Sequence, residues 1–125
     1  MLNRLGDVAL ARGDLQQARA HYWEALRLAA EEPYLGLKLD ALARQAVWLA
    51  REGRTERAVQ LATLVLDHPA CANPTRKVAG VVLLELEQSL PPDTYAAAAA
   101  QGRTADVDTT LEECLLAYQA GDRTA

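Results

Sequence analysis

The stretch Leu5-Gly6-Asp7-Val8-Ala9-Leu10-Ala11-Arg12-Gly13-Asp14-Leu15-Gln16-Gln17-Ala18-Arg19-Ala20-His21-Tyr22-Trp23-Glu24-Ala25-Leu26 decides the reading of this chain. Ahead of Arg12, Leu2, Leu5, Ala9 and Leu10 recur at helical spacing, and after Asp14 so do Leu15, Ala18, Tyr22, Ala25, Leu26 and Ala29. That period gathers apolar side chains on one face of an α-helix. Between the two runs, Gly13 is suited to the left-handed conformation that ends a helix. Asp14 can cap the next helix, and Gln17 can complete a capping box three residues on. The segment predicts two antiparallel helices joined by a tight turn.

Outward from it the pattern repeats. Glu31-Glu32-Pro33 breaks the second helix, and helical spacing resumes from Leu35 to Arg51 through Leu39, Leu42, Ala46 and Leu49. Gly53 then occupies the place of Gly13, and a helix through Ala58, Leu61, Ala62, Val65 and Leu66 runs to Asp67-His68-Pro69, where proline cannot continue the ladder. The step from Gly13 to Gly53 also carries Ala18 onto Ala58 and Leu26 onto Leu66. A single pair of helices cannot bury its apolar face, so a period of about 30–45 residues implies stacked units sharing one core.

Asn73-Pro74 opens a further helix through Val78, Val82, Leu86 and Leu90, with Asn73 as cap and Pro74 in the first turn. Its Val81-Val82-Leu83-Leu84 run has the composition of a strand, but its charged flanks and overall length favour helix, since buried strands run only about 4–8 residues. Pro91-Pro92 stops it. A short Ala-rich helix from Asp93 to Gln101, ended by Gly102, and a last helix from Thr109 or Thr110 to Gln119, with Thr109 and Glu112 spaced as a capping box, complete the chain. The expectation is one all-α domain over residues 1–125. Its first unit covers about 1–32 and its second about 34–69, with an atypical third unit and capping helices over about 73–120.

The run Leu5-Gly6-Asp7, Ala9, Gly13-Asp14, Ala18, Tyr22, Ala25-Leu26 resembles the tetratricopeptide repeat signature. That resemblance implies a right-handed superhelical stack of antiparallel helical hairpins, about six or seven helices in all. Gly6 and Ala18 would let the two helices touch, Tyr22 would fill the space above them, and Ala25 would admit the next repeat. The second unit keeps Ala46, Leu49, Gly53, Ala58 and Leu66 but has Gln45 in the leucine slot and Ala62 in the aromatic slot, and Gly80 opens a third, divergent copy. The tail, Ala96 to Ala100, Gln101-Gly102-Arg103, Leu111-Glu112-Glu113 and Ala117-Tyr118, resembles the carboxyl-terminal sensor region of large bacterial transcriptional regulators.

Composition narrows the function classes. Half of the residues are apolar and 24% charged, the balance of a folded chain. With two Trp, four Tyr and no Phe, Leu, Val and Ala must fill the core, which favours closely packed helices. A net charge of −4 with no basic run argues against direct binding to nucleic acid. The sequence offers neither a signal peptide nor an apolar run of the ~18 residues that a membrane span needs, so a cytoplasmic location is expected. Cys71 and Cys114 are in no metal-binding spacing and read as reduced, structural thiols.

Asp106-Val107-Asp108-Thr109-Thr110 has the aspartate pair of phosphatases that form a phospho-aspartate, but Arg103-Thr104-Ala105 is not the buried strand that such a pair follows, so a solvated helix cap is the better reading. His68 and Cys71 make half a zinc site at most, His21 falls opposite the core, and Glu31-Glu32 and Glu112-Glu113 read as solvated helix ends. Trp23 and Trp48 read as packing between units, with a ligand pocket as the alternative. No cofactor, metal or catalytic group is expected.

What remains is a non-catalytic interaction or sensor module, with a free-standing, self-associating scaffold as the alternative reading, because Leu2 and Leu5 leave an apolar edge on the first helix. In stacked hairpins the first helix of each unit lines the concave face. On that face lie Asn3 and Asp7, then Arg44, Val47 and Arg51, then Lys77, with small Ala43 and Ala50 between them. The cations predict a protein or peptide partner of acidic character. The competing reading has Arg44 and Arg51 paired with Asp40 or Glu52 on a solvated helix.

Overall fold

A computed structural model of the chain describes residues 2–119, with side chains from Arg4 to Tyr118. Among these residues there are seven α-helices and no strand: α1 (Leu2–Ala11), α2 (Leu15–Ala30), α3 (Leu35–Glu52), α4 (Thr55–Asp67), α5 (Asn73–Ser89), α6 (Pro92–Thr104) and α7 (Val107–Gln119).

The turns are where the sequence expects them. Gly13 and Gly53 have φ of 79° and 94°, the left-handed region that a side chain disfavours. Each lets the next amide reach back over the finished helix: the Asp14 N–H donates to the Ala9 carbonyl and the Arg54 N–H to the Leu49 carbonyl, both at 2.9 Å. Two carbonyls that the helix ends would leave bare are satisfied in the same way. Asp14 caps α2, accepting the Gln17 N–H at 3.0 Å.

Consecutive helices from α1 to α5 pack on one another, and α5 also lies against α3. The core between them is built on the fully buried Tyr22, Leu26, Leu39, Leu42, Val59, Leu61 and Val65. Tyr22 is the residue set against Gly6, whose absent Cβ is replaced by the tyrosine ring. The Tyr22 hydroxyl donates to Asp7.

The carboxyl-terminal helices take a different course. α6 packs chiefly on α4 and hardly touches α5, while α7 packs on α2 and α3. With α3, α5 and α6 all upon it, α4 buries Ala58, Val59, Leu61, Ala62, Thr63, Leu64 and Val65, positions that go all the way round the helix.

Three expected helix ends differ. Gly102 lies within α6, and the reason is contact: a Cβ there would meet the Gln60 carbonyl oxygen at 2.5 Å and Thr63 Cβ at 2.9 Å. Asp106, not Thr109, caps α7, accepting the Thr109 N–H and Oγ–H at 3.0 Å each. Those bonds hold its carboxyl below the usual carboxylate range. Asn73 is the first residue of α5, whose cap position is Ala72, with no side-chain bond. No helix among the described residues is long and apolar enough to cross a membrane.

Candidate functional site

Between α3 and α5 opens a groove of about 560 Å³. Val47 and Ala50 of α3 and Val78, Val81 and Val82 of α5 give it an apolar lining, and Arg44, Arg51 and Lys77 add cations against the single carboxylate of Glu85. Val81 is 56% exposed and Leu84, on the same helix, 59%. Four of the residues picked out by the sequence, Arg44, Val47, Arg51 and Lys77, are therefore brought together. Ala50 joins them, whereas Ala43 is fully buried away from the groove. Asp7 lies on α1 outside the lining, and the Asn3 side chain falls outside the described residues.

The cations divide into two kinds. Arg44 is half-buried and engaged: its Nη1 is 2.7 Å from Asp7 Oδ2 and its Nε 3.8 Å from Asp40 Oδ1. Asp40 Oδ1 also accepts the Thr75 hydroxyl at 3.1 Å. The row Asp7, Arg44, Asp40, Thr75 thus ties α1, α3 and α5 together, so for Arg44 the ion-pair reading holds. Arg51 and Lys77 are exposed, and among the described residues neither forms an ion pair, so the Arg51–Glu52 pairing is not made. Next to this row, burial and then the bond to Asp7 push the Tyr22 phenol well above its ordinary range.

The sequence does not single out Val78, Val81 and Val82 as groove residues, because apolar side chains at helical spacing do not say which of them face solvent. The signal was present nonetheless. Four consecutive helical residues sweep about 300° round the axis, more than one neighbouring helix can cover, so part of such a run must face outward.

The other candidates resolve into structure. His68 Nδ1 accepts the Ala70 N–H at 3.1 Å in the turn before Cys71, and His21 is half-buried where the sequence placed it in solvent. Cys71 and Cys114 are buried and unpaired, and burial raises both thiols. Asp108 pairs with Lys38 at 2.9 Å. Trp23 stacks on Tyr118 with ring centroids 4.6 Å apart, and Trp48 donates its indole N–H to the Leu15 carbonyl at 2.8 Å. No group of three or more His, Cys, Asp or Glu among the described residues is placed to hold a metal ion. Compared with family models, curated proteins and solved structures, the chain finds no match in any of the three.

Proposed function

We propose that this chain is a protein-interaction module whose α3–α5 groove receives an acidic, amphipathic segment of a partner protein. The observation that carries the reading is the pairing of an open apolar lining with two exposed cations, Arg51 and Lys77, that form no ion pair among the described residues. Buried apolar area would supply most of the affinity, at about 25 cal/mol per Å². The cations would set orientation and speed of encounter, since exposed charge pairs contribute only about 0–1 kcal/mol each.

The groove fits a tetratricopeptide-like stack in which α1 with α2 and α3 with α4 are successive hairpins and α5 begins a third. Supporting it are the matched left-handed closures at Gly13 and Gly53 and the serial packing from α1 to α5. On this reading α6 and α7 are a cap that turns back over the second helices. A place within a bacterial transcriptional regulator rests on the likeness of the tail alone.

The test is a titration of isotope-labelled protein with helical peptides that share one apolar face but carry acidic, neutral or basic flanks. Acidic peptides should bind best and shift the resonances of Val47, Val78 and Val81. Shifts confined to other surfaces, or no preference for acid, would sink the assignment.

Self-association is a second reading, favoured by α1, where Leu5 is 45% and Val8 49% exposed. Sedimentation should then show a concentration-dependent dimer that Leu5→Ser with Val8→Ser abolishes. Monomer alone over a wide concentration range would remove this reading.

A further inference from the structure

A pattern on α1 and α3 recurs on α5 with a different outcome. Gly6, Ala9 and Leu10 on α1, Ala46, Leu49 and Ala50 on α3, and Gly80, Leu83 and Leu84 on α5 each place a small residue three and four positions before apolar ones. That spacing gathers the three on one flank of a helix. α1 packs almost wholly on α2, so α2 is what buries Ala9 and Leu10 and sets the Tyr22 ring against Gly6. α3 carries α4 in turn, and Ala46 and Leu49 are buried.

On α5 the corresponding flank is bare. Leu84, the counterpart of Leu10, is 59% exposed where Leu10 is 6%. At Gly6 an added Cβ would meet the tyrosine ring, whereas at Gly80 it would meet nothing within 4 Å. α6 is not available to cover this flank, because it packs on α4 and buries Ala98, Ala99 and Gly102. A glycine inside a helix weakens it, and at Gly80 no contact among the described residues offsets that loss.

Charge marks the two ends of the same flank. Lys77 stands one turn before Gly80, and Glu87 one turn after Leu84. Both are exposed, and neither forms an ion pair among the described residues.

We propose that this flank of α5 receives a helix of a partner protein, which pairs with α5 as α2 pairs with α1. The partner helix runs antiparallel to α5, as the turn at Arg12-Gly13-Asp14 obliges α2 to run against α1. It carries an aromatic ring that fills the space at Gly80. In that direction, a residue one turn after the ring comes beside Lys77 and is acidic, and a residue two turns before the ring comes beside Glu87 and is basic. The site goes beyond the α3–α5 groove: Gly80, Leu83 and Leu84 do not line that groove, and Lys77 borders both.

The probe is a capped peptide with the sequence of α2 from Asp14 to Glu31, carrying Leu15→Lys and Ala25→Glu to suit Glu87 and Lys77. Titrated into the whole isotope-labelled chain, it should bind saturably and shift the Gly80 amide and the Leu83 and Leu84 methyl resonances. The same peptide with Tyr22→Ala should bind at least about tenfold more weakly, and a peptide with Leu15→Glu and Ala25→Lys at least about threefold more weakly. In the protein, Gly80→Ala should raise Tm yet weaken binding by at least about tenfold, since the methyl group favours the helix but meets the incoming ring. Opposite movements of Tm and affinity separate a docking contact from damage to the fold. Leu84→Ser, at an exposed position, should also weaken binding and carries the test if Gly80→Ala lowers Tm. Arg51→Glu, in the groove, should leave binding within about twofold. The proposal falls if no saturable binding occurs up to about 1 mM, or if the Tyr22→Ala or charge-reversed peptide binds equally well. It also falls if affinity is unchanged by Leu84→Ser, or if the shifts are confined to Val47 and Val78.

Discussion

Glycines inside the helices of this chain differ in what surrounds them, and substitutions to alanine separate the two cases. At Gly6 an added methyl group would enter the space of the Tyr22 ring, which is fully buried and bonded to Asp7. At Gly102 it would meet the backbone of α4. Each replacement should cost about 1–3 kcal/mol in urea unfolding, because neither neighbour is a flexible chain end. Gly80 has open space around its missing Cβ and sits inside α5, so Gly80→Ala should instead stabilise by about 0.5–1 kcal/mol through the better helix propensity of alanine. A loss at Gly80 comparable to those at Gly6 and Gly102 would contradict the packing described.

Tyr22 provides a second test at this scale, through pH. Its phenol is held protonated by burial and by Asp7, so the unfolded chain, with an ordinary phenol near pKa ~10, loses its proton first as pH rises. Fewer protons on the unfolded state mean falling stability above that pH, and the contribution of the neutral phenol is fully present below it. In alkaline unfolding titrations, Tyr22→Phe should start less stable, by about 1.5–3 kcal/mol for a bond to a charged acceptor, and should lack this part of the alkaline decline. Equal slopes for the two proteins would show that the phenol is not shielded as described.

At the scale of elements, α7 is held by two kinds of contact of unequal weight. The ion pairs Lys38–Asp108 and Arg57–Glu113 span 2.9 Å each, but the carboxylates that α7 contributes to them are exposed, whereas Val107, Leu111 and Cys114 are buried. Leu111→Ala should therefore cost about 2–5 kcal/mol, and Asp108→Asn less than about 1 kcal/mol. Hydrogen exchange along α7 would read both, and the reverse ranking would mean that charge rather than packing docks the helix.

How far elements were legible in the sequence follows the same division between local and distant causes. Asp14, Gly13 and Gly53 act on their own neighbours in the chain, so their turns could be read directly. Gly102 reads as a helix end because glycine often is one, yet it lies within α6, and the space it leaves is taken by α4, some forty residues away in sequence. The same blindness to distant partners hid the course of α6, since Ala98, Ala99 and Gly102 form a small-residue face that could fit against any helix. At the groove, the positions on α3 and the lysine of α5 were legible from helical period and charge. The engagement of Arg44 by Asp7 was not, because it depends on how α1 meets α3.

For the whole molecule, the proposed docking groove is a claim about charge as much as shape, and charge can be reversed without disturbing the core. Arg51 and Lys77 are exposed and make no ion pair among the described residues, so changing them should leave folding intact. Arg44 is unsuitable for this purpose because its loss would break the pair with Asp7 that ties α3 to α1. The most direct measurement is thus the affinity of Arg51→Glu with Lys77→Glu, against the unaltered protein, for matched acidic and basic amphipathic peptides at low and high salt. The account predicts that the unaltered protein prefers the acidic peptide and the double variant the basic one, both preferences fading as salt rises. An unchanged preference for the acidic peptide, with unchanged salt response, would contradict the groove as the binding surface.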